Sequence, residues 1–215
     1  MSGHAMNKNH LLCALAPAAA LLSLAACDSP PKQLPYNQGP IYGATIGGPF
    51  TLTDQNGKRR SYDEFNGKYR MVYFGYTNCP DICTPDVQNL MAGLKLFEKA
   101  EPELAKKIQP LFITVDPQRD TPALLTQFVR AFHPNLIGLT GSKEEMEAVR
   151  KSFAVVAERV EGSTPENYLM SHSQTPYLML PDGKPLALLP VDNPQTNANE
   201  GSPQAVVAEL VKWVR

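Results

Sequence analysis

An apolar, aromatic run from Arg70 to Tyr76 (RMVYFGY) stops just short of two cysteines, Cys79 and Cys83, and a helix-periodic stretch begins directly after them. The run is rich in β-branched and aromatic side chains and reads as a buried strand. The following stretch, Thr84 to Ala100, carries Val87, Leu90, Met91, Leu94 and Phe97 at helical spacing. The cysteines therefore fall at a strand–helix junction, near a helix N-terminus. There the partial positive charge favours thiolate over thiol. Their spacing places both sulfurs on one side of a first turn that reaches back to Cys79. Two adjacent thiolates suit either reversible disulfide chemistry or a soft metal ion.

The start of the chain decides which cysteines remain. Lys8 precedes an apolar run, Leu11 to Leu24, broken only by Pro17 and Ser23, and small residues lead into Cys27. This is the layout of a secretory signal peptide over 1–26. The run is too short for a secure transmembrane helix, which needs about 20 apolar residues. Leu24-Ala25-Ala26-Cys27 resembles a bacterial lipobox, with Cys27 as the lipidated mature N-terminus. Asp28 after it resembles the signal for retention at the inner membrane. Met6 is an alternative start. The expected location is the periplasmic side of a bacterial membrane, held by lipid. Cys13 leaves with the signal and Cys27 carries lipid, so of four cysteines only Cys79 and Cys83 stay free. A bridge between residues this close closes almost no loop and stabilises little, so chemistry is the better reason for the pair.

Residues 27–48, rich in Pro, Gly, Asn and Gln, read as a flexible tether, and the domain as 49–215. Phe50 to Thr53, Asn56-Gly57 and Lys58 to Tyr62 read as an N-terminal β-hairpin. Strands are expected at Pro110–Val115, Leu136–Leu139, Ala154–Arg159, Thr175–Leu180 and Pro185–Leu189. Helices are expected after Thr121-Pro122, after Ser142 with its capping partner Glu145, and after Ser202-Pro203. Residues 161–171 read as a loop. The order indicates an α/β domain with a central mixed sheet flanked by helices, similar to a thioredoxin-like fold. A net charge of −1 gives no basic surplus for nucleic acid.

Three segments make the resemblance specific. Tyr73 to Cys83 (YFGYTNCPDIC), Ile113 to Pro122 (ITVDPQRDTP) and Tyr168 to Ser173 (YLMSHS), the last followed by Pro181-Asp182-Gly183, resemble in order the signatures of the Sco/SenC family. The similarity covers about residues 41–215. It implies a thioredoxin-like copper protein that assists cytochrome c oxidase assembly, with Cys79, Cys83 and His172 as copper ligands. The implied partner is the apo copper-binding oxidase subunit, with a thioredoxin-like reductant for the cysteine pair. Two thiolates and an imidazole suit Cu(I), and a fourth ligand would extend the set to Cu(II).

Some positions depart from the family. Asn78 stands where His is usual, Thr84-Pro85 reverses the usual Pro-Thr, and Ser171 stands where an Asp able to tune the imidazole commonly precedes the histidine. Asp116 and Arg119 read as loop-ordering groups, Met170 and Met179 as core, and His133 as a helix C-terminal cap. Thr175-Pro176 resembles the cis-proline of thioredoxins, and an ordinary trans-proline at a strand start fits the sequence as well. It keeps open an alternative, a periplasmic thiol–disulfide oxidoreductase that keeps oxidase cysteines reduced. A peroxidase-like or redox-sensing lipoprotein is a third reading.

Overall fold

The computed structural model describes residues 33–80, 82–160, 164, 168–193, 196 and 199–215. The expected signal peptide, the expected lipidation site Cys27 and residues 27–32 of the expected tether lie outside them. The strands are β1 (Thr51–Asp54), β2 (Arg59–Ser61), β3 (Tyr69–Gly75), β4 (Ile108–Thr114), β5 (Ile137–Thr140), β6 (Ala157–Arg159), β7 (Met170–His172), β8 (Tyr177–Met179) and β9 (Pro185–Leu188). The helices are α1 (Cys83–Ala100), α2 (Pro102–Ala105), α3 (Pro122–Phe132), α4 (Lys143–Ser152) and α5 (Pro203–Trp213). Seven strands form one mixed sheet in the order β2-β1-β5-β4-β3-β8-β9. β3, β4 and β5 run parallel, and β8 lies antiparallel to β3. β6 and β7 pair separately as a two-stranded ribbon.

The local rules explain most of this. β3 is buried at all seven positions, as a central strand covered on both faces must be. Along it, side chains alternate. Tyr73 stacks on Phe112 of β4, which meets Phe128 of α3, whereas Phe74 meets Phe153 at the end of α4. α3 begins at Thr121, whose hydroxyl caps Leu124 N–H, and α4 begins with the capping box of Ser142 and Glu145. β1 and β2 form the expected N-terminal hairpin. Arg70, fully buried, donates to the carbonyls of Leu180 and Pro181 at 2.9 and 3.1 Å and to Asn66 Oδ1 at 2.6 Å, which ties the Pro181-Asp182-Gly183 turn to β3.

Two readings change, and the open cis or trans choice at Pro176 is decided. Residues 161–171 are not all loop, because β7 occupies Met170–His172. Three residues with a polar centre show no alternation to read. The Thr175–Pro176 peptide is trans, since the described residues hold no cis bond. Residues 33–48 do not run as a free tether. Leu34 N–H donates to Lys212 O at 3.0 Å, Ile41 N–H to Leu186 O at 3.3 Å and Gly47 N–H to Ser152 O at 2.8 Å. Leu34, Tyr36, Ile41 and Ile46 pack half-buried on the core. The Pro- and Gly-rich composition hid these aperiodic apolar anchors.

Candidate metal centre

Cys79, Cys83 and His172 come together although 89 residues separate Cys83 from His172. Their ligand atoms all lie within 4.8 Å of one another. β3 carries the chain to Tyr76, a short loop presents Cys79, and Cys83 opens α1. No side chain of Ile82 caps α1. Instead Cys83 N–H donates to Cys79 Sγ at 3.4 Å, which puts that sulfur on the positive end of the helix. Cys83 is fully buried and Cys79 is 9 % exposed. Gly75 makes room for Cys83: a Cβ there would stand 3.3 Å from its sulfur.

His172 ends β7 with Nε2 3.1 Å from Cys83 Sγ. Its Nδ1 lies 2.9 Å from Ser173 O, and a carbonyl only accepts, so Nδ1 carries the proton. Nε2 then offers its lone pair to the sulfurs, the tautomer a metal ligand needs. The family's usual Asp before the histidine is Ser171 here. Ser171 is exposed, and successive side chains of a strand point to opposite faces, so position 171 points away from the imidazole.

The expectation that both cysteines favour thiolate needs correction. The hydrogen bond with Cys79, and then burial, push the Cys83 thiol far above its usual range. Without a positive ion, Cys83 holds its proton.

A shell of residues fixes this geometry. Met170 N–H donates to Tyr76 Oη at 3.2 Å, and the Tyr76 ring meets the His172 ring edge-on with centres 5.9 Å apart. Burial, more than the neighbouring Cys79, holds the Tyr76 phenol at about 12. Arg119 bonds Asp116 and donates to Tyr168 O at 2.8 Å, with its guanidinium 3.7 Å from the Tyr168 ring centre. Tyr168 donates back to Asp116 Oδ1. Asp116 and Arg119 thus order the strand that delivers His172. Asp120, fully buried, accepts from Thr77 Oγ1 at 2.6 Å and from Thr114, which pins the loop carrying Cys79.

Elsewhere, the other singled-out residues are structural. His133 caps α3 through its N–H to Val129 O, and its buried ring reaches Glu98 of α1 at 3.2 Å. Met179 is fully buried, and Met170 packs against the core.

Sequence reasoning assigned no role to Asp86, although its place three residues after Cys83 on one helix was a legible signal. Asp86 is 4 % exposed and accepts from Tyr73 Oη at 2.8 Å. Burial, above all, raises its carboxyl to about 6. The folded state therefore binds this proton more tightly than the unfolded chain. The stabilisation is complete below the ordinary carboxylate range and is lost as pH rises through about 6. The shift corresponds to about 3 kcal/mol. An Asp86→Asn domain should gain stability over the native protein by about 2–3 kcal/mol between pH 4 and pH 8. Urea unfolding of the metal-free domain at both pH values measures this, and a pH-independent difference would contradict it.

Comparison with known proteins places this arrangement. The family model described as SCO1/SenC matches residues 38–206. The SCO2-like protein of Rickettsia felis is 39 % identical over 168 residues, 77 % of this chain and 80 % of its own. The mitochondrial SCO2 homolog of Bos taurus is 43 % identical over 141 residues, 65 % of this chain and 52 % of its own. This chain thus spans most of the bacterial relative and about half of the mitochondrial one. The crystal structure of Arabidopsis thaliana ScoI with copper bound is 35 % identical with a TM-score of 0.68, covering 78 % of this chain and 96 % of its own. The structure reporting a disulfide switch in BsSco, named there a member of the Sco family of cytochrome c oxidase assembly proteins, is 31 % identical. Its TM-score is 0.53, covering 68 % of this chain and 84 % of its own. The fold is thioredoxin-like, and the chain belongs to the SCO1/SenC family.

Proposed function

We propose that this protein binds copper through Cys79, Cys83 and His172 and passes it to the apo copper-binding subunit of cytochrome c oxidase. One observation carries the reading: two sulfurs and an imidazole nitrogen with its lone pair turned inward lie within 4.8 Å of one another. That soft, three-donor set fits Cu(I), and a structural zinc site would ask for four protein ligands. The copper held by the Arabidopsis relative supports it. The protein works from the periplasmic side of a bacterial inner membrane, held by lipid at Cys27. Among the described residues no helix is long and apolar enough to cross a membrane.

Because Cys83 keeps its proton well above neutral pH in the metal-free protein, copper capture expels it. Copper affinity of the reduced domain should therefore climb at least about tenfold per pH unit from pH 6 to 8. Competitive titration with a Cu(I) chelator measures the slope, and a flat profile would contradict the thiolate assignment. In cells, deletion should leave the oxidase short of copper when the metal is scarce. Normal oxidase copper under those conditions would overturn the delivery role.

The neighbouring Cys79 and Cys83, not joined in a disulfide, also suit thiol–disulfide exchange with oxidase cysteines, supplied with electrons by a thioredoxin-like reductant. One feature favours copper over exchange alone: the third donor, His172. A reduction potential above that of every client pair would exclude the reductant role.

A further inference from the structure

The segment 33–48 attaches at the end of the sheet opposite the metal centre. Gln33 Nε2 donates to Val214 O at 3.0 Å, and Leu34 N–H to Lys212 O at 3.0 Å, both at the C-terminal end of α5. Tyr36 packs edge-on against Tyr69, the first residue of β3, and hydrogen-bonds its hydroxyl. The Arg215 guanidinium lies 3.6 Å from the Tyr36 ring centre. From there the segment meets β9 at Leu186, where Gly39 sits so close that a Cβ would stand 2.3 Å from Leu186 O. It reaches Ser152 at the end of α4. The metal centre lies at the other end of β3, beside Gly75 and Tyr76. Seven residues of strand separate the two ends, roughly 20 Å at about 3.3 Å per residue.

A free 22-residue tether from Cys27 would let the domain turn over and lay any face on the bilayer. The strap shortens the free link and so curtails that freedom. Only residues 28–32 stay between Cys27 and Gln33; as a flexible link they span about 13 Å on average, less than the roughly 20 Å between the base and the metal centre. An anchor upstream of residue 33 thus holds the domain by its base.

We infer that the strap acts as a stand, which keeps the face bearing Cys79, Cys83 and His172 turned away from the membrane. The partner this fits is a folded, copper-accepting domain that projects from the bilayer, and not a site at the headgroup surface. The inference rests on lipid anchoring at Cys27.

The test uses the full-length protein in vesicles whose headgroups carry an energy acceptor. A fluorescent donor is placed, through a non-natural amino acid, at Lys68 beside the base or at Gln118 beside the metal centre, both exposed. Transfer to the membrane should be several-fold stronger from position 68 than from 118. Tyr36→Ala combined with Gly39→Val, which drives a side chain into the Leu186 carbonyl, should bring the two toward equality. Tyr36→Ala, a milder change at the base, should do so in part and guards against misfolding of the first variant. Equal or stronger transfer from 118 in the lipidated native protein would overturn the stand alone. Mass spectrometry showing Cys27 without acyl groups would overturn the anchoring reading, and the stand with it.

Discussion

Replacing His172 with alanine should cut Cu(I) affinity of the reduced domain by a hundredfold or more and abolish a stable Cu(II) form. The expected loss is at the upper end of, or beyond, the roughly 10–100-fold that follows removal of an outer-shell partner, because a ligand itself is lost. Two sulfurs remain, and a dithiolate still holds some Cu(I), so binding weakens without vanishing. The fold should survive. His172 is half-buried at the end of a three-residue strand, and its hydrogen bond to Ser173 O is worth about 1 kcal/mol. Chelator competition and urea unfolding on the same sample separate the two effects. Unchanged copper affinity would remove His172 from the site.

Gly75→Ala should damage fold and site together. The new Cβ would stand 2.9 Å from Tyr73 Cε1, 3.0 Å from Phe112 Cε2 and 3.3 Å from Cys83 Sγ. Both rings are locked in the core, so neither can swing away. Overpacking of this kind typically costs about 1–3 kcal/mol. The smaller backbone entropy of alanine returns about 0.5–1 kcal/mol at most. The remaining strain falls on Cys83, the most buried of the three donors. Copper affinity should drop at least about tenfold, equivalent to 1.4 kcal/mol. Adding Phe112→Leu should restore part of both losses, because residues in contact couple. Gly75→Ala with native stability and native copper affinity would show that the strand relaxes more freely than its burial implies.

The site was more legible than its surroundings. The strand ending at Tyr76, the helix after Cys83 and the caps at Thr121 and Ser142 are local signals, and local physics produces them. His172 was identified by resemblance alone, since nothing near it in sequence marks a ligand. Other features depended on distant partners. β7 exists because Met170 and His172 pair with Arg159 and Ala157. The strap is held by Lys212, Leu186 and Ser152, none of them neighbours in sequence. The proton on Cys83 depends on its bond with Cys79 and then on burial, which spacing could not show. Asp86 was visible as a first-turn acid, but its cost in charge burial follows only from the packed helix.

X-ray absorption at the copper edge tests the central claim most directly, on the reduced domain loaded with one equivalent of Cu(I). Two sulfur scatterers and one imidazole nitrogen are expected, and the nitrogen signature should disappear in His172→Ala. A sulfur-only shell in the native protein, or a native spectrum unchanged by that substitution, would contradict the site built from Cys79, Cys83 and His172.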